Sequence, residues 1–183
     1  MKKTVWAVLA ALVLAGCGSS AAKWPGEAAV RKGMENIGFF DIPESWTDIS
    51  ETDDPAAITL RYVDNEQEAG YCFMTYSYTA EELSGYDPVV REPETWVEWE
   101  VESITENYGD TLADTTYGTA KVAGYDAQRV DMSFTDDSRY TDVIFKDDAG
   151  TIHLLCFETF TKETSENLDV FVDYILKSYD TEK

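Results

Sequence analysis

Histidine is nearly absent, with His153 standing alone in the chain. A single imidazole cannot supply the paired histidines of an HExxH-type zinc centre, so that chemistry is excluded within one chain. Positive charge is scarce too: 14 Lys and Arg face 36 Asp and Glu, for a formal net charge of -22. A surface of that sign repels phosphates and anionic headgroups, which excludes nucleic acid as a partner and argues against direct docking on acidic lipid. A protein or a cationic ligand is the partner class left open. The chain has no G-x-S-x-G elbow, no Walker loop and no glycine-rich strand-to-helix turn. Serine-hydrolase, nucleotide and dinucleotide chemistries therefore lack the backbone they require, and no cofactor is implied. The longest apolar run, residues 4–16, falls short of the about 20 residues needed to cross a bilayer.

That run has another reading. It follows Lys2-Lys3 and is rich in Val, Leu and Ala, the layout of a secretory signal peptide over residues 1–16. It closes on Leu14-Ala15-Gly16-Cys17, which resembles the bacterial lipobox. The resemblance implies that the Cys17 thiol takes a diacylglyceryl group and that the mature protein is a membrane-anchored lipoprotein outside the cytoplasm. Its anchor then sits on the outer face of the cell membrane, or in an outer membrane where the cell has one. Two or more acyl chains hold such an anchor firmly.

Residues 17–33 read as a flexible tether, with Gly18-Ser19-Ser20 and Pro25-Gly26 as punctuation. Residues 18–34 carry Lys23, Arg31 and Lys32 against Glu27 alone, whereas the remainder is strongly acidic. A membrane of negative surface charge attracts the first and pushes away the second within a Debye length of about 8 Å. With 44% hydrophobic and 13% aromatic residues, the acidic part still has enough apolar content for a core, and residues 34–183 are expected to form one domain. Cys72 and Cys156 lie inside apolar strand-like runs, so buried free thiols are the expectation and a disulfide the alternative.

Along that domain, residues 37–42 and 47–49 read as extended, with Pro43-Glu44-Ser45-Trp46 between them. Ile58, Leu60 and Tyr62 alternate with polar neighbours, residues 64–70 turn, and the aromatic run 71–78 pairs back on the preceding strand. Residues 80–92 form an irregular loop long enough to carry function. The period then changes: Pro93 and Glu94 suit a first helical turn, Val97, Val101, Ile104 and Tyr108 recur at helical spacing, and Gly109 ends the helix. Strands follow over 115–122, 125–134, 140–146 and 151–160, separated by Ala123-Gly124, Asp136-Asp137-Ser138 and Asp147-Asp148-Ala149-Gly150. Ser165 is placed to cap a last helix striped by Leu168, Phe171, Val172, Ile175, Leu176 and Tyr179. The fold class is α+β, a mainly antiparallel sheet of about six strands packed with helices.

Three segments, "FFDIPESWTDIS", "VAGYDAQRV" and "LDVFVDYILKSYD", together resemble the PsbP-like fold over roughly residues 34–180. The resemblance implies an accessory or scaffolding role and brings no catalytic residue set with it.

Few residues invite chemistry. His153 and Cys156 are three apart on a strand and so point to opposite faces; the histidine is expected beside Leu155 and Phe157. Asp53-Asp54, Asp136-Asp137 and Asp147-Asp148 sit where turns are expected. Ca²⁺ would suit such oxygen ligands best, but no EF-hand spacing occurs. Trp96 and Trp99, at i and i+3, either pack at the rim of the core or leave one ring open as a platform for sugar or protein. The expected function is a non-enzymatic binding or accessory module on a membrane anchor at Cys17. A carboxylate-based hydrolase is the second reading, and a Ca²⁺-responsive or sugar-binding domain the third.

Overall fold

The computed structural model describes residues 28–51, 53, 58–64 and 70–182. The span read as a signal peptide, Cys17 and the first part of the span read as a tether lie outside the described residues.

A hairpin opens the structure, β1 (Ala29–Met34) against β2 (Gly38–Pro43). The chain then enters a seven-stranded antiparallel sheet through β3 (Thr47–Asp48), β4 (Leu60–Val63) and β5 (Tyr71–Tyr78). Two 3-10 turns lead into α1 (Pro93–Tyr108). A meander follows, β6 (Leu112–Val122), β7 (Tyr125–Phe134), β8 (Arg139–Lys146) and β9 (Ile152–Thr159), and the chain closes with α2 (Lys162–Glu166) and α3 (Leu168–Ser178). The spatial order is β3-β4-β5-β9-β8-β7-β6, so the last strand of the meander returns to pair with β5 and joins both groups.

Strands β8 and β9 are covered on both faces, which explains why they read as near-continuous apolar runs. Alternate residues serve different cores. Val143, Phe145, Leu155 and Phe157 pack with Phe171, Val172 and Ile175 of α3 and with Phe40 and Ile42 of β2. Ile144, Leu154, Val130 and Met132 pack with Val97, Val101 and Ile104 of α1. The fold class is α+β as expected, with one more strand in the sheet and the β1–β2 hairpin in addition.

Two local expectations change. Ordered structure begins inside the span read as a tether, because Ala29–Met34 is a strand. Its sequence AVRKGM has little apolar pattern; pairing with β2 and the Arg31–Asp41 ion pair hold it instead. Ser165 does not cap the last helix. Thr161 caps α2 through a capping box with Thr164, while Ser165 is buried within α2 and donates to the Asp137 carbonyl at 2.6 Å. Asn167 stands at the start of α3.

The C-terminal segment is tied back to the hairpin. Phe39 and Asp180 exchange backbone hydrogen bonds of 2.7 and 2.8 Å, and the Tyr179 hydroxyl donates to the Ile37 carbonyl. Gly38 has φ +121° and abuts the Tyr179 ring, so a side chain there meets both a strained backbone and an occupied space.

Candidate ligand-binding groove

The irregular segment after β5 is held at many points. The Glu82 carboxylate accepts from the Thr79 N–H at 2.6 Å and the Thr79 hydroxyl at 2.7 Å, both at Oε2. Asp87 accepts from the Val89 N–H at 3.0 Å, which shapes the second 3-10 turn. Arg91 donates to the carbonyls of Ser84 and Tyr86 at 3.1 and 3.3 Å. From the sheet, Lys146 reaches the Arg91 carbonyl at 3.0 Å and Glu92 at 2.7 Å. From α1, Thr95 donates to the Val89 carbonyl at 2.8 Å and the Trp96 indole to the Val90 carbonyl at 2.6 Å.

This anchored loop and the N-terminal half of α1 enclose a groove of about 420 Å³. Its walls are Tyr78, Tyr86, Trp96 and Trp99, with Leu83 and Val90 between them and, among the described residues, Glu82 as its one charged residue. That volume lies in the ordinary range for small-molecule sites, roughly 300–1,000 Å³. Tyr78 and Trp96 stack with centroids 4.7 Å apart and planes inclined by 26°, and Trp99 meets Trp96 at 68° and 5.3 Å. Trp99 is 43% exposed and Tyr86 65%. The structure thus resolves the two tryptophans into different roles: Trp96 is pinned between Tyr78 and the loop, and Trp99 keeps a face open. Sequence reasoning reached Trp96, Trp99 and the loop as an interval. It missed Tyr78, Glu82 and Tyr86 as groove residues, because their convergence depends on how the loop folds back on β5.

A second polar cluster lies beneath α1. The Tyr76 hydroxyl donates to Glu100 at 3.1 Å. Asp142 and Cys156 are register partners across β8 and β9, and both are buried. Burial, reinforced by the Glu100 charge, pushes Asp142 up to about 7. Burial likewise raises Glu100, Glu158 and the Cys156 thiol. Further along the same strands, Arg61 donates to the Cys72 sulfur at 3.3 Å and lies 3.8 Å from Glu158. Burial still pushes Cys72 up to about 11. Both cysteines are therefore held as thiols, the poor-nucleophile form. They are free. Cys72 opposes Glu158 and Cys156 opposes Met74, a diagonal relation with a typical separation of about 7–8 Å, beyond usual disulfide reach.

A hydrolase needs raised carboxylates where a substrate reaches them. None of Glu100, Asp142 and Glu158 lines the aromatic groove. Asp142 was legible in retrospect as a lone acid inside the apolar stretch TDVIF.

His153 lies on the face shared by Leu155 and Phe157, opposite Cys156. Its Nε2 is 3.1 Å from Asp147, its Nδ1 3.1 Å from the Ile37 carbonyl, and its ring stacks on Phe145 at 4.7 Å. Asp147 also accepts from the Thr151 N–H at 2.9 Å, so it both closes a turn and holds the histidine. These groups edge a cleft with Glu35, Asp148 and Glu182. Among the described residues no three His, Cys, Asp or Glu side chains are arranged to hold a metal ion. Asp136 acts as a turn residue, accepting from the N–H and hydroxyl of Ser138, and these bonds lower its pKa. Among the described residues no helix is long and apolar enough to cross a membrane.

No protein-family model and no curated protein matches the chain. Among solved structures, it is similar to the solution structure of cyanobacterial PsbP (CyanoP) from Synechocystis sp. PCC 6803. The TM-score is 0.59, the identity 11%, and the match covers 91% of this chain and 98% of that one. The fold is PsbP-like. At that identity the likeness carries architecture and leaves the activity to be argued from the site.

Proposed function

We propose that this PsbP-like protein is a lipid-anchored binding module working outside the cytoplasm, held by Cys17 and engaging its ligand in the groove between residues 80–92 and α1. The observation that carries the reading is the groove itself. A loop of that length usually loses its ordering entropy when a ligand binds, whereas this one is already tied to Thr79 just past β5, to α1 and to β8 by side-chain hydrogen bonds. It keeps aromatic faces open that a purely structural loop would bury. The signal-peptide pattern, the lipobox and the acidic composition beyond the tether support the location and a partner met away from the lipid surface.

The test has two arms. In cells fed a labelled fatty acid, the full chain is expected to take up label and to fractionate with membranes, and Cys17→Ser is expected to do neither. A thermal-shift screen of envelope extracts and small-molecule fractions against the full chain and Trp99→Ala examines binding. A stabilisation present in the first and absent in the second supports the groove. Membrane retention of unlabelled Cys17→Ser sinks the anchor, and equal shifts in both proteins sink the groove.

A further inference from the structure

The groove combines three features that select among ligand classes. Its walls are built largely of aromatic rings, whose faces are negative. Among the described residues its one charged group is Glu82, whose Oε2 is fixed by Thr79, and among them no cation lies within ion-pair distance of that carboxylate and nothing donates to Oε1. The surrounding segment, residues 81–102, holds eight acidic residues and a single basic one, Arg91. Arg91 is turned onto the carbonyls of Ser84 and Tyr86, so its charge is committed to the loop.

A sugar fits these features poorly. Sugar hydroxyls need several convergent hydrogen-bonding groups, whereas the Trp96 indole N–H is spent on Val90 and one Glu82 oxygen already takes two bonds. An anion is opposed by the charge. A cation with a hydrated, hydrogen-bond-hungry ammonium would lose more in desolvation than a carboxylate and aromatic faces restore. A cation whose surface is methyl groups has no such bonds to lose.

We propose that the groove is a site for an organic cation of the quaternary-ammonium class, its methyl groups against the faces of Trp99, Tyr86 and Tyr78 and its charge balanced by Glu82. This rests on the reading of the groove as the binding site, and its test is built to separate the two. Calorimetric titration of the full chain uses choline and its neutral carbon isostere, 3,3-dimethylbutan-1-ol. The two have nearly the same shape and differ in charge. Choline is expected to bind saturably and the isostere about two- to fivefold more weakly, the scale of one exposed cation–π contact. Glu82→Gln is expected to narrow that gap, Trp99→Ala to abolish binding, and Trp99→Tyr to retain it, with thermal unfolding confirming that each variant folds. Equal binding of choline and isostere overturns the cation inference and leaves the groove as an apolar site. Binding of neither probe also overturns it; if envelope fractions still shift the full chain but not Trp99→Ala, the broader reading survives.

Discussion

The Tyr76 hydroxyl on β5 donates to the Glu100 carboxylate on α1, and Glu100 is among the charges that raise the pKa of Asp142. A helix is thus held to the sheet beside an acid that titrates near neutrality in the folded state.

Stability should therefore fall as pH rises. Asp142 titrates at about 7 when folded, against about 3.9 for an unfolded aspartate. Between those values the folded state holds the extra proton, so the folding free energy weakens as pH climbs from about 4 to 7 and is lowest above 7. The change is on the order of 4 kcal/mol at most. Glu100 and Glu158, also raised by burial, act in the same direction. Urea unfolding at pH 5 and pH 8 checks this. Asp142→Asn should flatten the difference by raising stability at pH 8 more than at pH 5, and an unchanged slope in that variant would refute the assignment.

The two thiols offer a kinetic readout. Cys72 and Cys156 are buried, and burial shifts both thiols away from thiolate. Ellman's reagent at pH 8 is expected to label neither in the native protein and both in denaturant. Rapid labelling of either in the native state would mean that the sheet opens locally at that strand.

Arg129 joins the sheet to the start of α3. It makes bonds of 2.7–3.1 Å to Asp131 and one of 2.6 Å to Asp169, while Asp131 also accepts from the Thr141 hydroxyl at 2.6 Å. Arg129→Met leaves half-buried Asp131 without its cation and is expected to cost about 3 kcal/mol. Arg129→Lys should recover only part of that, because an ammonium cannot reproduce the forked contact. Equilibrium unfolding of the two variants tests the order.

At Gly38, alanine combines an unfavourable positive φ with overlap on Tyr179. Gly38→Ala is expected to destabilise by more than about 2 kcal/mol. Thr161→Ala, which removes one side of the α2 capping box, should cost about 1 kcal/mol. A reversed order in thermal denaturation would show that the hairpin contributes little to the global fold.

Most of the element inventory was written locally in the sequence. Alternation marked β4 and β7, Pro93 with the Val97–Val101–Ile104 spacing marked α1, and paired aspartates marked the meander's turns, since these patterns reflect φ/ψ preference and one-sided burial over a few residues. Strand β1 escaped because its stabilisation comes from pairing with β2 rather than from its own composition. The last cap was misplaced at Ser165 because several hydroxyl residues compete there and only the chain path selects Thr161. What tertiary structure alone decided is the strand order. Pairing of β5 with β9 brings Tyr76, Asp142 and Cys156 under one helix although they are far apart in sequence. The groove likewise exists because residues 80–92 fold back over β5 and α1. Contacts of that kind depend on the path of the whole chain, and no local periodicity encodes them.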